Sequence, residues 1–228
     1  MLISINPVNP NRFRVKQVVD VLKNDGIIIY PTDTVYGLGC SIFSKIAMKR
    51  LHKIKKINQK KPLTFICANQ TEVQEYTQGI QTYIFKLLRR KLPGPYTFVF
   101  KASKIVPKMM LTPRSTVGMR WPDHPIANEI VAALGHPILS SSLRLSEQEL
   151  YDDPHKLHEK YKKQVDLIVD GGTIFAEHST IIDFSQGGAK IIRYGKGPVD
   201  WIINEYLFKL ESIDLNRIIL CYKVVHKG

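Results

Sequence analysis

The segment that decides the fold runs from Tyr30 to Gly39 and reads YPTDTVYGLG. It follows an apolar run that starts at Ile27 and is typical of a buried strand. In an open α/β sheet, ligands bind at the carboxyl ends of strands, where this segment would lie. Its hydroxyl groups would hydrogen-bond a ligand and its glycines would let the backbone approach closely; the residues concerned are Thr32, Thr34, Tyr36, Gly37 and Gly39. The competing interpretation is an ordinary polar turn, which composition alone favours.

On both sides of this segment, strands and helices alternate. Apolar runs predict strands that begin at Ile27, Leu63, Tyr96, Thr116, Pro137, Leu167, Thr180 and Ala189. Helical spacing predicts helices over residues 11–23, 44–57, 82–91, 106–111, 126–134, 153–163 and 199–210. This alternation with short connections predicts an α/β fold. No composition shift marks a linker, so we expect one domain over residues 1–200 and a C-terminal extension over residues 201–228, with an edge strand from Ile219.

The positive charge of the chain is concentrated in one part. The 228 residues include 33 lysines and arginines and 20 aspartates and glutamates, for a formal net charge of +13. Between Thr34 and Trp121 there are 17 basic residues and only two acidic ones, Glu72 and Glu75. This bias favours a basic surface or cleft whose partner is rich in phosphate. The run KRLHKIKKINQKK over residues 49–61 is typical of a solvated helix face, but the regional charge favours phosphate contact for part of it.

Several classes of protein are disfavoured. Three widely spaced cysteines and an N-terminal segment without a signal-peptide pattern argue against a disulfide-bonded secreted protein, so we expect a reducing, cytoplasmic location. No apolar run approaches the ~18 residues of a transmembrane helix. Neither glycine-rich phosphate signature nor the G-x-S-x-G of serine hydrolases is present. His155 and His158 share a helix face without a third ligand at diagnostic spacing, so we predict no metal site.

Hydroxyl and arginine side chains recur at the ends of the predicted strands. They are Ser140, Ser141, Ser142, Arg120, Ser179, Thr180 and Arg193. Taken singly, each is more typical of an ordinary surface position. Together they could converge on one anionic ligand, because arginine makes bidentate contacts to phosphate or carboxylate. Asp183, between two apolar residues, is interpreted as a structural carboxylate because its burial would require a partner.

Several motifs of the sequence match a known family in order and spacing. They are YPTDTVYGLG, PGPYT from Pro93, STVGMRWPDHP from Ser115, PILSSS from Pro137, STIIDF from Ser179, and IIRYGKG from Ile191. Over about residues 18–198 the chain resembles the YrdC/YciO family, and most closely its YciO branch. The resemblance implies a twisted mixed α/β sheet with a large concave basic surface. It implies the activity of an L-threonylcarbamoyladenylate synthase, which combines threonine, bicarbonate and ATP, with magnesium, to supply the threonylcarbamoyl group of a modified tRNA adenosine. It also implies binding of double-stranded RNA.

The resemblance also implies roles for individual residues. Threonine would be held by Thr34, Arg120, Ser140 and Ser179. ATP would be held by Lys55, Thr116, Ser142 and Arg193, with Lys55 and Arg193 stabilising charge at the α-phosphate. No prosthetic group is implied. RNA phosphates would contact the basic residues Lys49, Arg50, Lys53, Lys56, Lys60 and Lys61.

The chain departs from the synthase pattern at three charged or polar positions. One is a histidine of that pattern, which is replaced near Ile66. Ile57 stands where synthases have the arginine of Lys-x-Arg-Pro, and Arg144 stands where they have the asparagine of Ser-x-Asn. Two main hypotheses therefore remain: an enzyme that makes threonylcarbamoyl-AMP, and an RNA-binding protein that has lost this chemistry. A third is a nucleotide-binding protein that acts on another small acid.

Overall fold

The computed structural model describes residues 1–58, 63–107, 110, 115–146 and 149–202. Contacts divide the chain into one compact unit, Met1–Lys196, and a second, Gly197–Gly228, of which only residues 197–202 are described. The helix predicted over 106–111 lies partly outside the described residues, the helix over 199–210 lies mostly outside them, and the strand from Ile219 lies wholly outside.

The first unit is built on a large mixed sheet. Its strands are β1 (Leu2–Ser4), β2 (Ile28–Tyr30), β3 (Tyr36–Ser41), β4 (Thr64–Ile66), β5 (Thr77–Gln78), β6 (Tyr96–Ala102), β7 (Thr116–Arg120), β8 (Ile138–Leu143), β9 (Tyr151–Asp152), β10 (Leu167–Asp170), β11 (Ile174–Phe175), β12 (Thr180–Asp183) and β13 (Lys190–Arg193). The order across the sheet is β1-β10-β2-β3-β8-β4-β7-β6-β12-β13, with β5 paired to β6, while β9 and β11 form a separate antiparallel ribbon. The predicted α/β class is confirmed.

Six α-helices connect the described strands, and local signals set their ends. They are α1 (Arg12–Lys23), α2 (Lys45–Lys55), α3 (Gln70–Glu75), α4 (Thr82–Lys91), α5 (Pro125–Leu134) and α6 (Pro154–Tyr161). The side chains of Asn11, Ser44 and Asp153 cap α1, α2 and α6 by accepting backbone N–H bonds in the first turn. Gly135 ends α5 at φ 82°, a left-handed conformation that glycine adopts without strain.

Helices α1 and α5 pack on one face of the sheet and form a core with it. The buried side chains come from both helices and from β1, β2, β10, β4 and β8: Val15, Val18, Val19, Leu22, Ile126, Ile130, Val131, Ile3, Ile28, Tyr30, Leu167, Val169, Ile66 and Ile138. Each fully buried aliphatic side chain contributes about 1.5 to 3 kcal/mol to folding. Side chains alternate along a strand, so the face that carries Ile66 and Ile138 continues into Thr64 and Ser140.

The structure differs from the sequence prediction in several short elements. Residues 36–39, the end of the segment interpreted as a ligand-binding segment or a polar turn, lie in the fully buried strand β3. The elements β1, α3, β5, β9 and β11 were not predicted; each has only two to six residues. Among the described residues, no helix is long and apolar enough to cross a membrane.

Candidate active site

A row of hydroxyl side chains crosses neighbouring strands on the same face of the sheet as α1 and α5, next to the core that these helices form. Ser140 of β8 pairs in register with Thr64 of β4, and Thr64 pairs with Gly118 of β7. A Cβ at Gly118 would lie 3.4 Å from Thr64 Oγ1 and 3.6 Å from Thr97 Cγ2, so these side chains share one face. Thr97 Oγ1 is 3.0 Å from Ser179 Oγ. We call Ser140, Thr64, Thr97 and Ser179 the hydroxyl row.

The two glycines of β3 make room for an aromatic ring. A Cβ at Gly37 or at Gly39 would lie 2.9 Å from the ring of Tyr30. The ring lies across β3 and its hydroxyl donates to Ser140 Oγ at 2.8 Å. Burial raises the pKa of Tyr30 above its ordinary value, so the phenol stays a neutral donor. The predicted use of these glycines, close approach to a ligand, is wrong, because the space beside them is filled by Tyr30.

Arg120 ends β7 and lies beneath the loop before β3. Its side chain is only 6% exposed, and its Nη2 donates to Thr34 Oγ1 at 2.6 Å and to Asp33 Oδ1 at 2.5 Å. Arg120 Nε and Asp33 Oδ2 are buried and have no hydrogen-bond partner among the described residues. The predicted pair Thr34 and Arg120 is therefore brought together, with Asp33 as the ion-pair partner of this arginine.

Arg193 ends β13 and lies at the Ser179 end of the hydroxyl row. Its Nη2 donates to the backbone oxygen of Ser179 at 2.8 Å and to Ser179 Oγ at 3.2 Å. Partial burial lowers the pKa of Arg193, and the positive charge of Arg120 lowers it further. A positive charge at this end of the hydroxyl row suits an anionic ligand.

Of the other predicted ATP residues, Ser142 and Thr116 lie on the same sheet face, and Lys55 contacts the backbone of β8. Lys55, the last residue of α2, donates from Nζ to the backbone oxygen of Ser142 at 2.8 Å. Ser142 follows Ser140 on β8 by two residues, and Thr116 precedes Gly118 on β7 by two, so both side chains point to the face of the hydroxyl row. Thr116 is buried and Ser142 is half-buried.

The predicted RNA-binding residues are in different environments. Lys49, Lys53 and Lys56 are exposed on α2 or at its end. Arg50 is instead engaged by Asp166, with Nη2 at 3.2 Å from Oδ1. Lys60 and Lys61 lie outside the described residues.

Two of the departures from the synthase pattern have different structural outcomes. Ile57, two residues after α2, places an uncharged side chain where the synthase pattern is expected to have an arginine. Arg144, directly after β8, donates to the backbone oxygen of Glu149. Part of its hydrogen-bonding capacity is therefore used in its own loop.

Three residues at the site were not predicted from the sequence. Asp33 pairs with Arg120. His124, the N-cap of α5, has a buried Nδ1 without a partner among the described residues, and burial lowers its pKa. Lys196 donates from Nζ to the backbone oxygen of Asp33 at 2.6 Å. The sequence did contain a signal for these three residues, because each lies inside one of the family motifs from which other site residues were predicted. His155 lies 3.6 Å from Asp170, and no group of three potential metal ligands occurs among the described residues.

Comparison with known proteins decides the family. The model of the Sua5/YciO/YrdC family, described as "Telomere recombination", matches residues 20–195. The chain belongs to this family. It is 38% identical to YciO of Escherichia coli K12 over 197 residues, which cover 86% of this chain and 95% of YciO. It is 31% identical to the threonylcarbamoyl-AMP synthase of Coxiella burnetii over 157 residues, which cover 69% of this chain and 84% of the synthase.

Solved structures of family members have the same fold. The crystal structure of E. coli YciO superposes with a TM-score of 0.82 at 36% identity, covering 87% of this chain and 97% of YciO. Pyrococcus abyssi Sua5 complexed with L-threonine superposes with a TM-score of 0.81 at 25% identity, covering 89% of this chain and 59% of that chain. The predicted family resemblance is thus confirmed.

Proposed function

We propose that this protein binds ATP and threonine and, with bicarbonate, forms L-threonylcarbamoyl-AMP for a tRNA modification. The observation that carries the proposal is the hydroxyl row with Arg120 and Thr34 beside it and Arg193 at its end. Two relatives support the choice of ligands: a C. burnetii protein named threonylcarbamoyl-AMP synthase, and P. abyssi Sua5, whose structure holds L-threonine.

The proposed chemistry has two steps that place different demands on the site. The amine of threonine reacts with carbon dioxide from bicarbonate to give a carbamate. A carbamate oxygen then attacks the α-phosphorus of ATP, supplied as its magnesium complex, and the bond to the β-phosphate breaks so that pyrophosphate leaves. The guanidinium of Arg120 suits the carboxylate of threonine, and Thr34, which it contacts, and Ser140 of the hydroxyl row offer hydroxyl groups.

Arg193 and Lys55 are the residues proposed to bind the phosphates of ATP. Negative charge develops on the phosphoryl oxygens as the carbamate attacks, and fixed cations stabilise it most. Arg193 is oriented by two bonds to the Ser179 backbone oxygen, and Lys55 by its bond to Ser142. ATP as substrate and two reduced, buried cysteines, Cys40 and Cys67, fit the cytoplasmic location in this proposal.

The test follows labelled bicarbonate into threonylcarbamoyl-AMP in the presence of ATP, threonine and magnesium. We expect product from the wild type and a fall of about 100-fold or more in Lys55→Ala, as for removal of one transition-state cation. Lys45→Ala, an exposed lysine at the first position of the same helix, is the matched control and should keep the wild-type rate. No product from folded wild type, beside an active synthase, would refute the proposal.

RNA binding by α2 is the second candidate function, and the exposure of Lys49, Lys53 and Lys56 favours it. Binding through phosphates weakens with salt, with a slope of about −0.9 in log K per phosphate neutralised on duplex DNA. We expect Lys49→Ala/Lys53→Ala to make the slope for duplex RNA shallower by about two. Arg12→Ala on α1 serves as the control. A slope unchanged by the double substitution would exclude this helix as the RNA surface.

A further inference from the structure

Lys196 is an exposed lysine that two hydrogen bonds hold close to the candidate site. It follows β13 by three residues, and its backbone N–H donates to the backbone oxygen of His178 at 2.9 Å. Its Nζ donates to the backbone oxygen of Asp33 at 2.6 Å. The side chain therefore reaches from the Arg193 segment to the residue that pairs with Arg120.

The charges around this lysine do not cancel within the described part of the chain. Asp33 is the ion-pair partner of Arg120, so that pair is neutral. Arg193 and Lys196 make no ion pair with any described carboxylate; their contacts are to Ser179 and to backbone oxygens. Two positive charges are thus uncompensated at the Ser179 end of the hydroxyl row, a feature typical of sites for a multiply charged anion.

We infer that Lys196 acts with Arg193 on the terminal phosphates of the nucleotide, and that its ammonium group stabilises the leaving pyrophosphate. This inference rests on the function proposed above. As the bond from the α-phosphorus to its bridging oxygen breaks, the electron pair passes to pyrophosphate, which gains negative charge next to Lys196. Arg193 is half-buried against Ser179, whereas Lys196 is exposed and long enough to follow the phosphates toward solvent.

The role of Lys196 also bears on the missing arginine. Ile57 removes one positive charge that the synthase pattern supplies. Arg144 already bonds the backbone oxygen of Glu149 within its own loop. Lys196 adds a cation at a position defined by two hydrogen bonds.

The experiment measures binding of ATP, AMP and inorganic tripolyphosphate to full-length protein by calorimetry at low ionic strength, where exposed charges are least screened. The variants are Lys196→Met, which keeps the length of the side chain, and Lys196→Arg, which keeps its charge. Lys190→Met is the matched control, because Lys190 is an exposed lysine at the start of β13, the strand that precedes Lys196.

We expect Lys196→Met to weaken ATP and tripolyphosphate binding by about 10-fold and AMP binding by less than threefold. Lys196→Arg should bind ATP within about threefold of the wild type, and Lys190→Met should match it. Equal loss for ATP and AMP would mean that Lys196 acts only through the Asp33 loop, and would overturn the inference. So would an unchanged ATP affinity, or a wild type that binds no tripolyphosphate. Failure of the proposed synthase function has a different result: ATP binds, but no threonylcarbamoyl-AMP forms.

Discussion

The buried ion pair between Arg120 and Asp33 gives a sharp prediction for stability. Their side chains are 6% and 11% exposed, and Nη2 to Oδ1 is 2.5 Å. Removing one partner leaves the other charge buried without compensation, which destabilises a protein by about 3 to 5 kcal/mol. For a domain of this size, each kcal/mol lowers Tm by about 2 to 4 °C, so Asp33→Ala should lower Tm by roughly 6 to 20 °C.

The assay is urea unfolding of four proteins: wild type, Asp33→Ala, Arg120→Met and the double variant. Because the double variant has no unpaired charge, its loss should be smaller than the sum of the single losses by more than about 1 kcal/mol. Asp20→Ala is the matched control: Asp20 pairs with Lys16 at 2.8 Å, but their side chains are 50% and 72% exposed. Such a pair contributes about 0.2 to 1 kcal/mol. Similar losses for Asp33→Ala and Asp20→Ala, or additive losses in the double variant, would refute the reasoning.

Three further predictions follow from single side chains. Gly37→Ala should destabilise by about 1 to 3 kcal/mol in urea because the new Cβ meets the Tyr30 ring at 2.9 Å, whereas Gly188→Ala, which meets nothing within 4 Å, should change stability little; equal effects would contradict this. Burial raises the pKa of Asp152 above 3.8, so this carboxyl keeps its proton to higher pH in the folded state than in the unfolded state. The free energy of unfolding should therefore fall as pH rises above 3.8. Asp152→Asn should lack this fall, and a plot of its unfolding free energy against pH that runs parallel to that of the wild type would disprove the prediction. Burial lowers the pKa of His124, so its NMR titration should have a midpoint below 6.5, and a midpoint at or above 6.5 would count against it.

Longer elements with a regular hydrophobic pattern were predictable from the sequence. The helix predicted over 82–91 is α4 (Thr82–Lys91), and the strand predicted from Tyr96 begins there. The spacing of their own apolar residues shows which side chains are buried, so the local hydrophobic pattern was sufficient to predict both elements. Strand β3 was not predictable in this way, because its sequence YGLGCS has two glycines and two polar or aromatic residues. Those glycines are required by the Tyr30 ring from the neighbouring strand, a tertiary contact that no local pattern contains.

The candidate site was predictable in its residue types but not in its pairings. The family motifs identified Thr34, Arg120, Ser179 and Arg193, and the structure joins them in two hydrogen-bonded groups. The partner of Arg120 could not be chosen from sequence, since Thr32, Asp33 and Thr34 all lie in one motif. Only the folded loop shows that the carboxylate of Asp33 is the ion-pair partner of a buried arginine.

The ion pair also changes how the site charge should be counted. A basic sequence region suggests that every arginine in it adds positive potential, but Asp33 neutralises Arg120 and Asp166 pairs with Arg50. At the Ser179 end of the hydroxyl row, positive charge remains on Arg193 and Lys196, in addition to the Lys55 that contacts β8. A carboxylate of threonine needs one well-oriented guanidinium, whereas pyrophosphate needs several charges. In the proposed function, this distribution would separate an amino-acid end at Arg120 from a phosphate end at Arg193. Substitutions at Lys196 should then alter nucleotide affinity and leave threonine affinity unchanged, whereas a fall in both would show that the two ends are not separate.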